Sequence, residues 1–192
     1  MSIFIIEHLE PKLFEWCLIE YERISKIVGK NNLWFTNIKN KSDSLKLKKF
    51  GRVISNNVSE LHLKSSCVLD PQSSEILKPS DKKIFKYFIF GGILGDYPPK
   101  KRTKKELTQF LPQSETRNIG KKQFSTDNAV FVVNEIINNR RNFKEIKFKS
   151  KAEIKINDVE SIILPYLYPA DKDGKPMMSE KIVSYLKKKK GF

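Results

Sequence analysis

One stretch constrains the fold more than any other. Tyr87-Phe88-Ile89-Phe90 runs directly into Gly91-Gly92-Ile93-Leu94-Gly95-Asp96-Tyr97-Pro98-Pro99. An apolar and aromatic run without polar alternation is the pattern of a strand buried on both faces, as in a parallel sheet. Three glycines, an aspartate and two prolines then follow within nine residues, which ends the strand and starts a rigid, exposed turn. The glycines can supply positive φ, or let a flat ligand touch main chain that a Cβ would shield. In α/β sheets ligands bind outside the carboxyl ends of the strands. The stretch fits that placement, and it equally fits a tight connection with no ligand. Its order differs from the Gly-x-Gly-x-x-Gly of a dinucleotide fold, and no Gly-x-x-x-x-Gly-Lys-Ser/Thr phosphate loop occurs in the chain.

Strand and helix patterns alternate around it. Ser2–Ile6 reads as a strand, and Pro11 suits a first helical turn. Leu13, Trp16, Cys17, Tyr21, Ile24, Ile27 and Val28 recur at helical spacing up to a stop at Gly29. Leu33–Asn37 is a second strand, so the chain opens with a β-α-β unit and a parallel sheet. Segment 38–65 is polar and variable, with a short helix near Ser44–Phe50 and a strand near Arg52–Ser55. Ser66–Leu69 is a compact strand ended by Asp70-Pro71. Thr103–Phe110 reads as a helix with Thr103 as N-cap and Glu106 completing a capping box. Thr116–Gly120 is a short strand. Ser125-Thr126-Asp127 opens a helix with Ala129, Val130, Val133, Ile136 and Ile137 on one stripe. Its free N–H groups can cap locally or serve a ligand. Ala152–Asn157 is an edge or hairpin strand, Ile162–Tyr168 a further strand, Asp173-Gly174 a hairpin turn, and Ser179–Lys190 a basic helix.

Composition narrows the class. At 192 residues the chain reads as one domain, 1–192, with a basic tail at 187–192. No apolar run approaches the roughly 20 residues that cross a bilayer, and Ile3–Ile6 is too short for a secretory signal. Cys17 and Cys67 sit in apolar surroundings and suggest no disulfide, which points to a reducing, cytoplasmic setting. His8 and His62 do not supply a metal site with those cysteines, and no Gly-x-Ser-x-Gly hydrolase elbow exists. The net charge of +15, from 37 Lys and Arg against 22 Asp and Glu, fits contact with RNA, ribosomes or an anionic membrane. It equally fits a lysine-rich surface with no such partner. The clusters Lys46–Lys49, Lys100–Lys105 and Lys187–Lys190 are dispersed along the chain and form no single motif.

Together, Ile6-Glu7-His8, Glu15-Trp16, Glu20-Tyr21, Leu69-Asp70-Pro71, Phe90 to Asp96, Pro98-Pro99, Arg102-Thr103-Lys104, Gly120, Lys122-Gln123 and Thr126-Asp127-x-Ala129 resemble the SPOUT-class protein arginine methyltransferases. The resemblance extends from Ile5 to Gly174-Lys175-Pro176 and weakens across 38–65. It implies an α/β fold, a parallel sheet flanked by helices on both faces, with a deep trefoil knot. It also implies S-adenosylmethionine as cofactor, leaving as S-adenosylhomocysteine. The implied cofactor loops are Leu69, Asp70 and Pro71; Phe90, Gly91, Gly92, Ile93, Leu94 and Gly95; and Ile119, Gly120, Lys122, Gln123, Ser125 and Thr126. Arg117 is expected on the cofactor carboxylate.

The reaction so implied is in-line methyl transfer from a sulfonium to a guanidinium nitrogen, in which alignment is the main service of the protein. A guanidinium is a poor nucleophile because it stays protonated, so carboxylates must orient it and take up its proton. Glu7, Asp96 and Asp127 are the candidates. Asp127 equally suits a helix N-terminus as an ordinary dipole partner. Glu15 and Glu20 read as solvated or structural, and His8 as a proton shuttle or a satisfied structural histidine. The expected partner is a small-subunit ribosomal protein, with rRNA contact through basic surface and no membrane; the resemblance implies a monomer ahead of a homodimer. The alternatives are a SPOUT RNA methyltransferase of rRNA or tRNA, and an inactive RNA-binding module. An acidic pocket of Glu7 and Asp96 would favour arginine; a basic lip would favour RNA.

Overall fold

The computed structural model describes residues 1–96 and 98–189. Tyr97 and residues 190–192, with the end of the predicted basic helix and of the last lysine cluster, lie outside the described residues. Strands β1 (Ile3–His8), β2 (Leu33–Thr36), β3 (Arg52–Val53), β4 (Ser66–Leu69), β5 (Tyr87–Gly92) and β6 (Glu115–Arg117) form one sheet in the order β3-β2-β1-β5-β4-β6. Every pairing in it is parallel. β1 and β5 lie at its centre with Ile6 opposite Phe90 and Glu7 opposite Gly91. That explains the unbroken apolar run of β5, because both of its faces are covered.

On one face, Phe4, Ile6, Phe35, Phe88 and Phe90 pack with helices α1 (Glu15–Val28) and α4 (Thr126–Ile137), through Tyr21, Ile24, Val130, Val133 and Ile136. Each fully buried side chain of this size contributes about 1.5–3 kcal/mol. The other face is thinner: Ile5, Val68 and Ile89 meet Val58, Leu107 and Leu111 from short helical segments. Helix α2 (Lys41–Leu47) lies at the far edge beside β3, and α3 (Arg102–Glu106) follows the glycine loop. Beyond α4, strands β7 (Phe148–Lys149) and β10 (Tyr168–Pro169) pair, as do β8 (Ala152–Lys155) and β9 (Ser161–Leu164), both antiparallel. With helix α5 (Glu180–Lys189) these place Ile154, Leu164, Ile182 and Leu186 against Trp16 and Ile19 of α1.

Several expected boundaries are corrected. Pro11 precedes α1, which starts at Glu15 after the N-cap Phe14. α3 is capped by Lys101 rather than Thr103 and ends at Glu106, because Glu106 binds Arg102 instead of closing a capping box. The strand expected over Ile162–Tyr168 is split between β9 and β10 around Pro165, which lacks an N–H for a ladder. Leu167 between them donates its N–H to the Gln123 carbonyl at 2.8 Å. Ser125 is the N-cap of α4, but its hydroxyl makes no cap bond and donates to Asp127 Oδ1 at 2.6 Å.

Candidate active site

Parallel strands all deliver their following loops to one edge, and at the carboxyl ends of β4, β5 and β6 those loops enclose a cleft of about 500 Å³. Leu69, Asp70, Pro71 and Gln72 form one wall. Phe90, Gly91, Ile93, Leu94 and Asp96 form the second, and Ile119 to Phe124 the third, with Thr126 and Ala129 of α4 at the base. Pro99 to Thr103 and Lys104 edge the mouth.

Each wall is fixed by buried polar contacts. Asp70 is buried; it accepts from the Gln72 N–H and from Thr108 Oγ1, both at 2.8 Å. In the second wall, the Leu94 N–H donates to Glu10 Oε1 at 2.9 Å, and Arg102 Nη1 donates to the same oxygen at 2.8 Å. Arg102 also binds Glu106 with two nitrogens, a bidentate fork that holds α3 beside the loop. In the third wall Gly120 has φ +97°, and its N–H donates to Asn118 Oδ1. The Asn118 amide and Lys121 Nζ both bind the Ser73 carbonyl, tying the third wall to the first.

The glycines of the second wall act by close approach, since none of the three has positive φ. A Cβ on Gly91 would meet Ile93 Cδ1 at 2.8 Å, and one on Gly92 would meet Tyr21 Oη at 2.2 Å. Gly95 lies against Gln123 and Tyr166, whose hydroxyl donates to the Gly95 carbonyl.

Of the residues expected from sequence, Leu69, Asp70, Pro71, Phe90, Gly91, Ile93, Leu94, Asp96, Ile119, Gly120, Lys122, Gln123 and Thr126 line the cleft. Gly92 and Gly95 stand behind its wall, filled by the protein's own side chains. Arg117 turns away to Asp81, Glu115 and the face of Phe85. The buried Glu7 carboxylate accepts from Thr36 Oγ1 and from the Val58 N–H at 3.0 Å, and burial holds it above the usual carboxylate range. Glu7 and Asp96 therefore do not form the acidic pocket anticipated for arginine. Instead Lys100, Lys101, Arg102, Lys104, Lys121 and Lys122 all line the cleft, and Asp96 binds Lys100 at 2.9 Å. The Lys100–Lys105 cluster was the available signal for this basic mouth.

Behind Thr126 lies a second hollow of about 10 Å³, the space of about one water. It is lined by Trp16, Glu20, Ser125, Asp127, Asn128, Tyr168, Met178, Ser179 and Ile182. Asp127 pairs here with Arg23, whose Nη1 also donates to Asn128 Oδ1 at 3.0 Å. Glu20 is buried rather than solvated, and accepts from Trp16 Nε1 at 2.9 Å. Burial, reinforced by the neighbouring Asp127 charge, pushes Glu20 well above the usual carboxylate range. Sequence reasoning missed Glu20 because its helical position carries no mark of what packs over it. His8 donates to or accepts from the Tyr21 hydroxyl through Nδ1, while its buried Nε2 has no partner.

Residues 3–191 match the family model described as protein arginine N-methyltransferase SFM1-like. The chain is 36% identical to protein arginine N-methyltransferase SFM1 of Saccharomyces cerevisiae, over 96% of this chain and 94% of that relative. The crystal structure of the yeast arginine methyltransferase SFM1 complexed with S-adenosylhomocysteine superposes with a TM-score of 0.90 at 34% identity, covering 96% of this chain and 94% of the other. The complex of the same yeast protein with S-adenosylmethionine gives 0.89 at 35% identity, over 98% and 91%. The parallel sheet and its helices are thus the SPOUT arrangement expected from sequence.

Proposed function

The chain belongs to the SFM1-like protein arginine N-methyltransferases, and on that premise we propose that it binds S-adenosylmethionine in the three-walled cleft and methylates an arginine of a small-subunit ribosomal protein. The observation that carries the reading is the cleft itself, built from the three expected loops in a chain 36% identical to a named arginine methyltransferase. The proposal includes a single domain, a monomer, a cytoplasmic site of action and the trefoil knot of the SPOUT class. The order β5-β4-β6, in which the chain leaves β5 and returns beyond β4, supports that knot.

The residues present fit this cofactor. A cleft of about 500 Å³ lies within the roughly 300–1,000 Å³ of small-molecule sites. Leu69, Phe90, Ile93, Leu94, Ile119 and Ala129 give apolar walls for an adenine ring, and Gly91 leaves main chain uncovered there. Lys122 offers a cation for a carboxylate, in place of the occupied Arg117. When bound, the cofactor supplies an electrophilic sulfonium methyl group.

The protein's own work is to orient the guanidinium and hold its proton. Asp96 lies in the cleft wall. Asp127 and the added candidate Glu20 flank Thr126, with Trp16 and Tyr168 beside them. A buried carboxylate whose bonds come from Trp16 and Thr126, with no directly bonded cation among the described residues, is suited to accept a proton. Glu7 stays in the proposal at the end of β1, next to Gly91 in register, where it steadies the cleft floor.

The basic mouth favours one second reading, RNA methylation. The deciding experiment incubates the protein with radiolabelled S-adenosylmethionine and a ribosome-containing lysate, then divides the sample between protease and ribonuclease. Label removed by protease, stable to ribonuclease and absent with Asp127→Asn supports arginine methylation. Label removed by ribonuclease establishes the second reading instead.

A further inference from the structure

The mouth of the cleft poses an electrostatic problem. Lys101, Lys104, Lys105, Lys121 and Lys122 are all exposed, and among the described residues none has a carboxylate partner. Lys104 and Lys105 lie on the short helix α3 and Lys101 is its N-cap, so three like charges fall within five residues. Lys121 and Lys122 line the same cleft as Lys101 and Lys104, from the third wall, and Lys105 is the next residue along α3. The nearby carboxylates are already engaged: Asp96 by Lys100, Glu10 and Glu106 by Arg102, and the buried Asp70 by Thr108 and the Gln72 N–H. A protonated arginine in a basic protein is repelled by such a rim, and the cofactor, whose ammonium and sulfonium outweigh its one carboxylate, does not relieve it.

We infer that this rim docks the phosphate backbone of an RNA strand, so that the arginine is presented by a ribonucleoprotein and not by a free protein. The inference rests on the arginine reading above. A single strand carries one phosphate per nucleotide and can neutralise both sides of the mouth while leaving the cleft to the cofactor and side chain. Phe110, in the helical turn just past α3, is 58% exposed and offers a ring for base stacking. An acidic protein segment would answer the charge but leave that ring unused.

The test measures fluorescence anisotropy of a labelled 20-nucleotide oligouridine over a salt series. Three proteins are compared: the unaltered chain, a rim variant (Lys101→Glu, Lys104→Glu, Lys105→Glu) and a far-edge variant with the same charge change on and beside α2 (Lys41→Glu, Lys48→Glu, Lys49→Glu). The rim variant is expected to lose at least about 30-fold in affinity at 50 mM NaCl. Its log–log salt slope should fall by about 2, since each single-strand phosphate contact contributes about 0.7. The far-edge variant should lose under about threefold. Melting temperatures and a Lys→Gln rim set separate lost binding from lost folding. Equal losses at rim and far edge, or no oligouridine binding by the unaltered chain, overturn the inference. So does displacement of the oligouridine by polyglutamate at equal charge concentration, which assigns the rim to an acidic protein. In parallel, arginine labelling of intact ribosomal particles should fall with the rim variant. A total absence of arginine label from the unaltered chain instead overturns the reading beneath, whatever the oligouridine result.

Discussion

Glu10 Oε1 lies 2.8 Å from Arg102 Nη1 and, on the same oxygen, accepts the Leu94 N–H at 2.9 Å. One carboxylate thus joins the segment after β1, the glycine-rich wall and α3, and Glu106 holds the rest of the Arg102 fork. Both side chains are largely withdrawn from water, at 9% and 23% exposure. Arg102→Lys keeps the charge and loses the fork. We expect it to raise KM for S-adenosylmethionine about tenfold with a much smaller change in kcat, which steady-state kinetics with varied cofactor would detect. A loss confined to kcat would contradict a positioning role.

The adjacent glycines Gly91 and Gly92 should fail differently. The position of a Gly92 Cβ is 2.2 Å from Tyr21 Oη, 3.0 Å from Ile6 Cγ2 and 3.1 Å from the Glu7 carbonyl, all in the packed layer between sheet and α1. Gly92→Ala is expected to cost about 2–3 kcal/mol, the range of overpacking, read by urea denaturation. A Gly91 Cβ meets the flexible end of Ile93 and, at an ordinary contact distance of 3.5 Å, Leu9 Cδ1. Gly91→Ala should leave stability within about 1 kcal/mol and weaken cofactor binding by calorimetry.

Burial and the nearby Asp127 charge raise Glu20, while Trp16 and Thr126 donate to it. A carboxyl with a raised folded-state pKa binds its proton more tightly in the folded than in the unfolded chain. Stability is then greatest below the unfolded value near 4.5 and declines as pH rises through the folded value. Glu20→Gln keeps an acceptor for Trp16 Nε1 and removes the buried charge. It should melt about 3 °C or more above the unaltered protein at pH 8, with the gap closing toward pH 4.5, while methyl transfer falls. An offset independent of pH in melts from 4.5 to 8.5 would show that charge burial is not its cause.

Cys17 and Cys67 are both buried and unbridged, and burial pushes each thiol up to about 12. The nucleophile is the thiolate, so neither should react in the folded state. A thiol reagent at pH 8 should label neither within minutes and both in denaturant. Rapid labelling of one would place it in a segment that opens locally.

Much of the fold was legible because it rests on short-range pattern. The apolar run of β5, the helical stripe on α4 and the Gly29 stop are read within a few residues, and the structure keeps them. Of the three cleft walls, the glycine-rich one was legible as a possible ligand loop because it ends a recognisable strand, whereas the other two were indicated by the family resemblance. The helix expected over Thr103–Phe110 shows where this ends. Thr103 and Glu106 have the spacing of a capping box, but Arg102 offers Glu106 two strong bonds, and helix α3 is cut to five residues. Pro165 was visible in the strand expected over Ile162–Tyr168, yet its effect depended on the Leu167 N–H finding the Gln123 carbonyl across the fold.

By itself, then, the sequence determined the central strands, the parallel character of the sheet and the glycine-rich loop at its edge, since these follow from periodicity, turn chemistry and chain direction, and its family resemblance pointed to the other two wall segments. Only the tertiary structure decided which charges face one another. Arg23 finds Asp127 across 104 positions, Arg102 finds Glu10 across 92, and Glu20 is buried by elements far along the chain. Whether a carboxylate is solvated, paired or held neutral depends on what packs over it. Local spacing carries no record of that partner, which is why the burial of Glu20 emerged only when distant segments were brought together.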